Sequence, residues 1–127
     1  MTNLDPKHGN CLKQHPKKPI VFALSNPDPE ILPQQIHAVR SDAYVATGRS
    51  DFANQVNNAV CFPYIFRGAL DAQARCINHA MKVACTEAIR DLAKQAVPDD
   101  VKQMHPETQC WTFSRDYFIP KVLDHRL

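Results

Sequence analysis

Three asparagines stand where an uncharged amide is chemically useful. Asn26 follows the apolar run Ile20-Val21-Phe22-Ala23-Leu24, inside the turn sequence Ser25-Asn26-Pro27. Its side chain offers one carbonyl acceptor and two N–H donors without net charge, which suits a substrate hydroxyl, a carboxylate or a nicotinamide ribose. Ligands of open α/β sheets bind outside the carboxyl ends of the strands, where this residue is expected. Asn57 and Asn58 close the sequence Asn54-Gln55-Val56-Asn57-Asn58 and precede an apolar periodic stretch. Unpaired N–H groups at a helix start attract anions, and neighbouring amide side chains add donors. Each position also has a plainer use: Asn-Pro initiates turns, and asparagine caps helices. Arg49 beside Asp51, after the second apolar run, reads as a local ion pair.

Other reactive residues form weaker patterns. His8, Cys11 and His15 are spaced His-x2-Cys-x3-His, but tetrahedral zinc takes four ligands and no further Cys or His completes the set at a familiar spacing. Cys61, Cys76 and Cys85 fall among helical apolar positions and read as small buried hydrophobes. Cys110, beside Trp111, stands alone. No Ser/His/Asp spacing and no framed carboxylate pair is present. The three glycines, Gly9, Gly48 and Gly68, lie too far apart to cradle a phosphate, which argues against a self-sufficient nucleotide-binding enzyme of the usual kinds.

The elements that must position these residues are few. Residues 1–18 are polar, carry Pro6, Pro16 and Lys17-Lys18, and are expected to be a disordered leader. The run at 20–24 is expected to be a strand buried on both faces. A proline-rich turn follows, then a short helix with Pro33 in its first turn and Ile36 and Val39 inward, then a strand at Ala43-Tyr44-Val45-Ala46-Thr47-Gly48 that runs into a loop. Strand, helix, strand is the order of a parallel βαβ unit. Asn57 or Asn58 is expected to cap a helix bent at Pro63. A second helix opens near Asn78, runs to about Ala96 and turns Ile77, Met81, Ala84, Cys85, Ala88 and Leu92 inward. Val97-Pro98-Asp99-Asp100 ends it. The aromatic tail around Trp111, Phe113 and Tyr117 is expected to lie against another surface.

The predicted class is therefore α/β, with two short parallel strands and about three helices. Two strands make no stable sheet in water without partners, so part of a larger domain is expected to be missing. The 127 residues allow one small domain, and a net charge of +2 argues against a nucleic-acid partner. No apolar run approaches a membrane span, and the first residues lack the apolar core of a secretory signal, so a cytoplasmic chain is expected. Five cysteines, an odd number at irregular spacing, point to free thiols.

Several linked motifs resemble the malic enzymes of bacteria. They are Pro19-Ile20-Val21-Phe22-Ala23-Leu24-Ser25-Asn26-Pro27-Asp28-Pro29-Glu30, Ala46-Thr47-Gly48-Arg49-Ser50-Asp51-Phe52, Asn54-Gln55-Val56-Asn57-Asn58 and Phe62-Pro63-Tyr64-Ile65-Phe66-Arg67-Gly68-Ala69-Leu70-Asp71. Tyr117-Phe118-Ile119-Pro120-Lys121 and Asp124-His125-Arg126-Leu127 echo the end of the same domain. The resemblance covers residues 19–127 and implies a partial Rossmann-like fragment, the C-terminal part of an NAD(P)-binding domain. It implies oxidation of L-malate and its decarboxylation to pyruvate and CO2, with NAD or NADP and with Mg2+ or Mn2+ in the complete enzyme. It places Asn26 at the substrate and nicotinamide, and Asn57 and Asn58 at the malate carboxylate and cofactor. The family's catalytic tyrosine and lysine, its acidic metal ligands and its glycine fingerprint have no counterpart here. Ala53 and His125 replace prolines, and Ser114 replaces a glycine. The resemblance thus implies a piece that is inactive alone, or alternatively a module docking on an intact malic enzyme or a complementary fragment.

Overall fold

Apolar β-branched residues between Pro19 and the Ser25-Asn26-Pro27 turn leave room for one short strand, and one forms. The computed structural model describes residues 6–106 and 108–127. It divides into two compact units, Met1–Val56 and Asn57–Leu127.

In the first unit, helix α1 spans Pro6–Gln14, strand β1 Ile20–Ala23, helix α2 Pro33–Val39 and strand β2 Tyr44–Thr47. The strands pair in parallel, with Ile20 opposite Tyr44 and Ala23 opposite Thr47, and α2 makes the crossover that a parallel pair requires. Helix α2 opens on Pro33, whose missing N–H costs nothing in a first turn. Its third residue, Gln35, accepts a hydrogen bond on Oε1 from the Leu32 N–H at 3.1 Å. Leu12, Ile36, Ala43 and Val45 form the buried core, with Val21, Ile31 and Val39 packed around it.

Two expectations fail here. Residues 6–14 of the supposed disordered leader are helical, while residues 1–5 lie outside the described residues. The helix is held from a distance. Leu12 enters the core, and Arg40 donates to the carbonyls of Leu12 (2.8 Å), His15 (3.0 Å) and Pro16 (2.8 Å) while pairing with Asp42. Those carbonyls lie at and just beyond the end of α1, where a helix leaves its last acceptors unmatched. Nor is β1 buried on both faces: Ile20 and Phe22 remain 67% and 56% exposed, against 2% for Ala23. Among the described residues β2 is its one neighbour and nothing covers the outward face.

In the second unit a 3-10 turn at Asn58–Val60 leads into α3 (Phe62–Asp71), followed by α4 (His79–Leu92) and α5 (Asp99–Met104). The expected bend at Pro63 is instead a break at Cys61, which leaves Pro63 in the first turn of α3. The helix expected to open near Asn78 does so, and Asn78 caps it, its Oδ1 accepting from the Met81 N–H at 3.0 Å. The inward stripe is Met81, Cys85, Ile89 and Leu92, whereas Ala84 and Ala88 are exposed. Helix α5 was not anticipated, so the described residues hold five α-helices rather than about three. Val97 and Val101 pack with Tyr117 in a second core, and the Tyr117 ring lies 5.6 Å from that of Trp111. The middle of the aromatic tail thus serves its own unit, while Phe113 stays exposed. Asp124 is fully buried against Arg126, which also donates to the Ala96 carbonyl at 2.9 Å.

Candidate functional site

Parallel pairing brings the carboxyl ends of β1 and β2 to the same edge of the sheet. The loops that begin at Leu24 and Gly48 therefore leave side by side, and a Cβ added at Gly48 would stand 3.6 Å from the Leu24 carbonyl oxygen. Asn26 sits on the first of these loops, exposed, immediately before a cis Asn26–Pro27 peptide. Its amide makes no hydrogen bond among the described residues. The turn is closed behind it by the Ser25 N–H, which donates to Glu30 Oε2 at 3.2 Å. Glu30's own backbone N–H and Ser25 hold that carboxyl below its ordinary range.

The second loop is built more tightly. Thr47 is fully buried, and its Oγ1 accepts from the Arg49 N–H at 3.3 Å. The Arg49 guanidinium grips Asp51 through two hydrogen bonds of 2.8 and 2.7 Å, stands 3.7 Å from Asp28 and lies over the Phe52 ring. Asp51 is accordingly held below the usual carboxylate range by Arg49. The ion pair read from the sequence is present, and it occupies the guanidinium fork. Asn54, in a left-handed conformation (φ 56°), is buried and donates from Nδ2 to the Val45 carbonyl at 3.3 Å. Gln55 donates to the Gly48 carbonyl, and the Val56 N–H to that of Thr47. Asn54 was missed as a structural residue. An asparagine tolerates left-handed backbone, but nothing in its neighbours announces one here.

Asn57 and Asn58 open the second unit. Asn57 caps the 3-10 turn, its Oδ1 accepting from the Ala59 N–H at 2.9 Å, so its two Nδ2 hydrogens remain to offer a ligand. Asn58, the first residue of the turn, is exposed and its amide makes no hydrogen bond among the described residues. The two asparagines thus share one helix start, and Asn26 belongs to the strand-end edge of the first unit. The cap on this turn engages the Asn57 side-chain oxygen.

The donor set does not suit a divalent metal. Among the described residues no three His, Cys, Asp or Glu side chains stand close enough to hold an ion. Cys11 Sγ and His15 Nε2 are 3.7 Å apart, and the side chain of His8 lies outside the described residues. A cavity of about 410 Å3 in the second unit is lined by Val60, Tyr64, Cys85, Leu92, Gln95 and Arg126, among others, and by none of the three asparagines. No helix among the described residues is long and apolar enough to cross a membrane.

Comparison with known proteins is specific. The family described as malic enzyme, NAD binding domain, matches residues 9–112. That match begins within α1, in a stretch the motifs alone had set apart from the family. The chain is 54% identical over 110 residues to an NADP-dependent malic enzyme of Rhizobium meliloti, covering 87% of this chain and 14% of that protein. It is 51% identical over 111 residues to an NAD-dependent malic enzyme of the same organism, with the same two coverages. The crystal structure of malic enzyme from Pyrococcus horikoshii superposes with a TM-score of 0.71 at 38% identity, over 91% of this chain and 22% of that one. The chain therefore spans about one seventh of the length of these two curated relatives.

Proposed function

The chain belongs to the malic enzyme NAD-binding-domain family, and from that membership we propose that it is the later part of the cofactor domain of an enzyme that oxidises L-malate and decarboxylates it to pyruvate and CO2. The observation that carries the reading is Asn26, an amide with no hydrogen-bond partner among the described residues, at the carboxyl edge of a parallel sheet in a chain half identical to malic enzymes. In this reading Asn26 holds the substrate and the nicotinamide ribose, while Asn58 and the Nδ2 group of Asn57 hold the malate carboxylate and the cofactor. Fixed amides of this kind orient a 2-hydroxy acid so that its C2 hydrogen faces the nicotinamide. The dinucleotide, when bound, supplies the hydride acceptor. Similar proteins are named for NAD and for NADP, and the reading takes either.

The 127 residues are proposed to be inactive alone. The Mg2+ or Mn2+ of the complete enzyme finds no ligand set among the described residues, and three dispersed glycines leave the pyrophosphate without a loop. Malate-dependent reduction of NAD+ and NADP+ by the purified chain with Mn2+ tests this. No turnover is expected, and turnover that survives stringent purification would refute it. Five free cysteines fit the cytoplasm as the place of work.

A second reading is favoured by one observation. Ile20 and Phe22 on the open face of β1 remain 67% and 56% exposed, and Leu70 at the end of α3 73%, apolar surface that a partner could cover. The chain would then dock on an intact malic enzyme or on a complementary fragment. Co-elution with a polypeptide carrying the remaining malic enzyme sequence is expected, and independent elution at micromolar concentration would remove this reading.

A further inference from the structure

Cys61 and Cys85 are 24 residues apart in sequence, yet their sulfurs stand 3.3 Å from one another. Cys61 lies between the 3-10 turn and α3, as the residue before the first turn of α3; Cys85 lies on the inward stripe of α4. Both are half-buried and both are free thiols. A disulfide needs sulfurs about 2.05 Å apart, so closing the bond takes a shift of about 1.3 Å, within reach of side-chain rotation. No other pair of thiols is recorded so close among the described residues. Cys76 lies outside α4, in the segment before it, and Cys85 stands about 9 Å along the helix from its first residue, His79. Cys110 contacts Ser114 and the Thr112 carbonyl instead, and Cys11 contacts His15.

We propose that Cys61 and Cys85 form a reversible disulfide that pins the start of α3 to α4, three residues after the Asn57-Asn58 corner. The oxidant is a peroxide. The Cys61 thiolate attacks one peroxide oxygen and the O–O bond breaks. Cys61 becomes a sulfenic acid and the second oxygen leaves as water after protonation. Cys85 then attacks the Cys61 sulfur, an S–S bond forms and the S–O bond breaks. The hydroxyl leaves as a second water, carrying the proton that Cys85 gives up. Two thiols are oxidised by two electrons in all, and one peroxide is reduced to two waters. A dithiol reductant reverses the step. Burial, with Cys61 beside it, pushes the Cys85 thiol up to about 11, in keeping with a resolving role for Cys85.

The test is peroxide treatment of the full chain at pH 8, followed by acid quench, alkylation, tryptic digestion and mass spectrometry. Cleavage after Arg49, Arg67, Arg75, Lys82 and Arg90 places Cys61, Cys76 and Cys85 on three separate peptides. In buffer the Cys61–Cys85 linked pair is expected to dominate, two hydrogens lighter than its parts and lost on dithiothreitol treatment. In 6 M urea, where chain statistics decide, the nine-residue Cys76–Cys85 loop is expected to exceed the 24-residue loop about fourfold. A Cys76→Ser chain is expected to link Cys61 to Cys85 as well as the parent does. The proposal is overturned if Cys61 and Cys85 are alkylated independently after oxidation in buffer. It is equally overturned if Cys76–Cys85 dominates there, or if Cys76→Ser abolishes the Cys61–Cys85 link.

Discussion

Leu12→Ala tests whether the polar N-terminal stretch is an integral part of the first unit. Leu12 is 7% exposed and packs with Ile36, Ala43 and Val45, so the substitution removes three buried carbons from a core of four residues. At about 0.8 kcal/mol per buried carbon the transfer loss is about 2 kcal/mol, and an unfilled cavity brings the total to about 3 kcal/mol. With a urea m-value of about 1.5 kcal/mol/M for a unit this small, the midpoint falls by about 2 M. Lys13→Ala, at the neighbouring exposed position, is the control and shifts stability by no more than about 0.5 kcal/mol. The assay is urea unfolding followed by far-ultraviolet circular dichroism and tryptophan fluorescence in parallel. Trp111 reports the second unit, so the Leu12 effect is expected in the dichroism first. Equal midpoints for Leu12→Ala and Lys13→Ala would refute the docking of α1 and restore the disordered leader.

Other outcomes follow from the same contacts. Asn57→Ala removes the cap on the Ala59 N–H and is expected to cost about 1 kcal/mol in urea unfolding, whereas Asn58→Ala, which breaks no hydrogen bond, is expected to leave the midpoint unchanged. Burial would raise the Asp124 carboxyl, but Arg126 and its backbone N–H hold it below its ordinary value. Its folded value is therefore the depressed one, so its contribution is complete above about pH 4 and is lost as pH falls further. Asp124→Asn leaves Arg126 without its counter-charge, and a loss of about 2 kcal/mol at pH 7 with a flatter acid limb is expected by urea titration between pH 7 and pH 3. Ile36→Ala, at a fully buried position, is expected to destabilise by about 3 kcal/mol, read as a midpoint shift like that of Leu12→Ala.

Much of this fold is legible because local signals and tertiary contacts agree. The Pro33 start of α2, the caps at Asn57 and Asn78 and the two apolar runs each carry their own punctuation, and each element forms. Helix α1 is different. Among its residues Leu12 is the apolar one in the core, so no period marks it, and its end is held by an arginine 28 residues away. Helix α5 had a signal, Pro98 followed by Asp99 and Asp100, which reads as a helix start as readily as a helix stop. The strand β1 has the composition of a sheet centre, yet lies with one face open because the two-stranded sheet offers it no second layer. Of the candidate site, the three asparagines were visible through their turns and caps. The burial of Asn54 depends on left-handed backbone under β2 and was not.

The most direct test is a two-dimensional amide spectrum of the 15N-labelled chain, recorded with and without NAD+, NADP+ and malate. A dispersed spectrum is expected, in which ligand-induced shifts concentrate on Asn26, Asn57, Asn58 and their immediate neighbours, with Asn58→Ala weakening them. A dispersed spectrum unmoved by all three ligands, or shifts centred away from these residues, would contradict the assignment of the asparagines to substrate and cofactor.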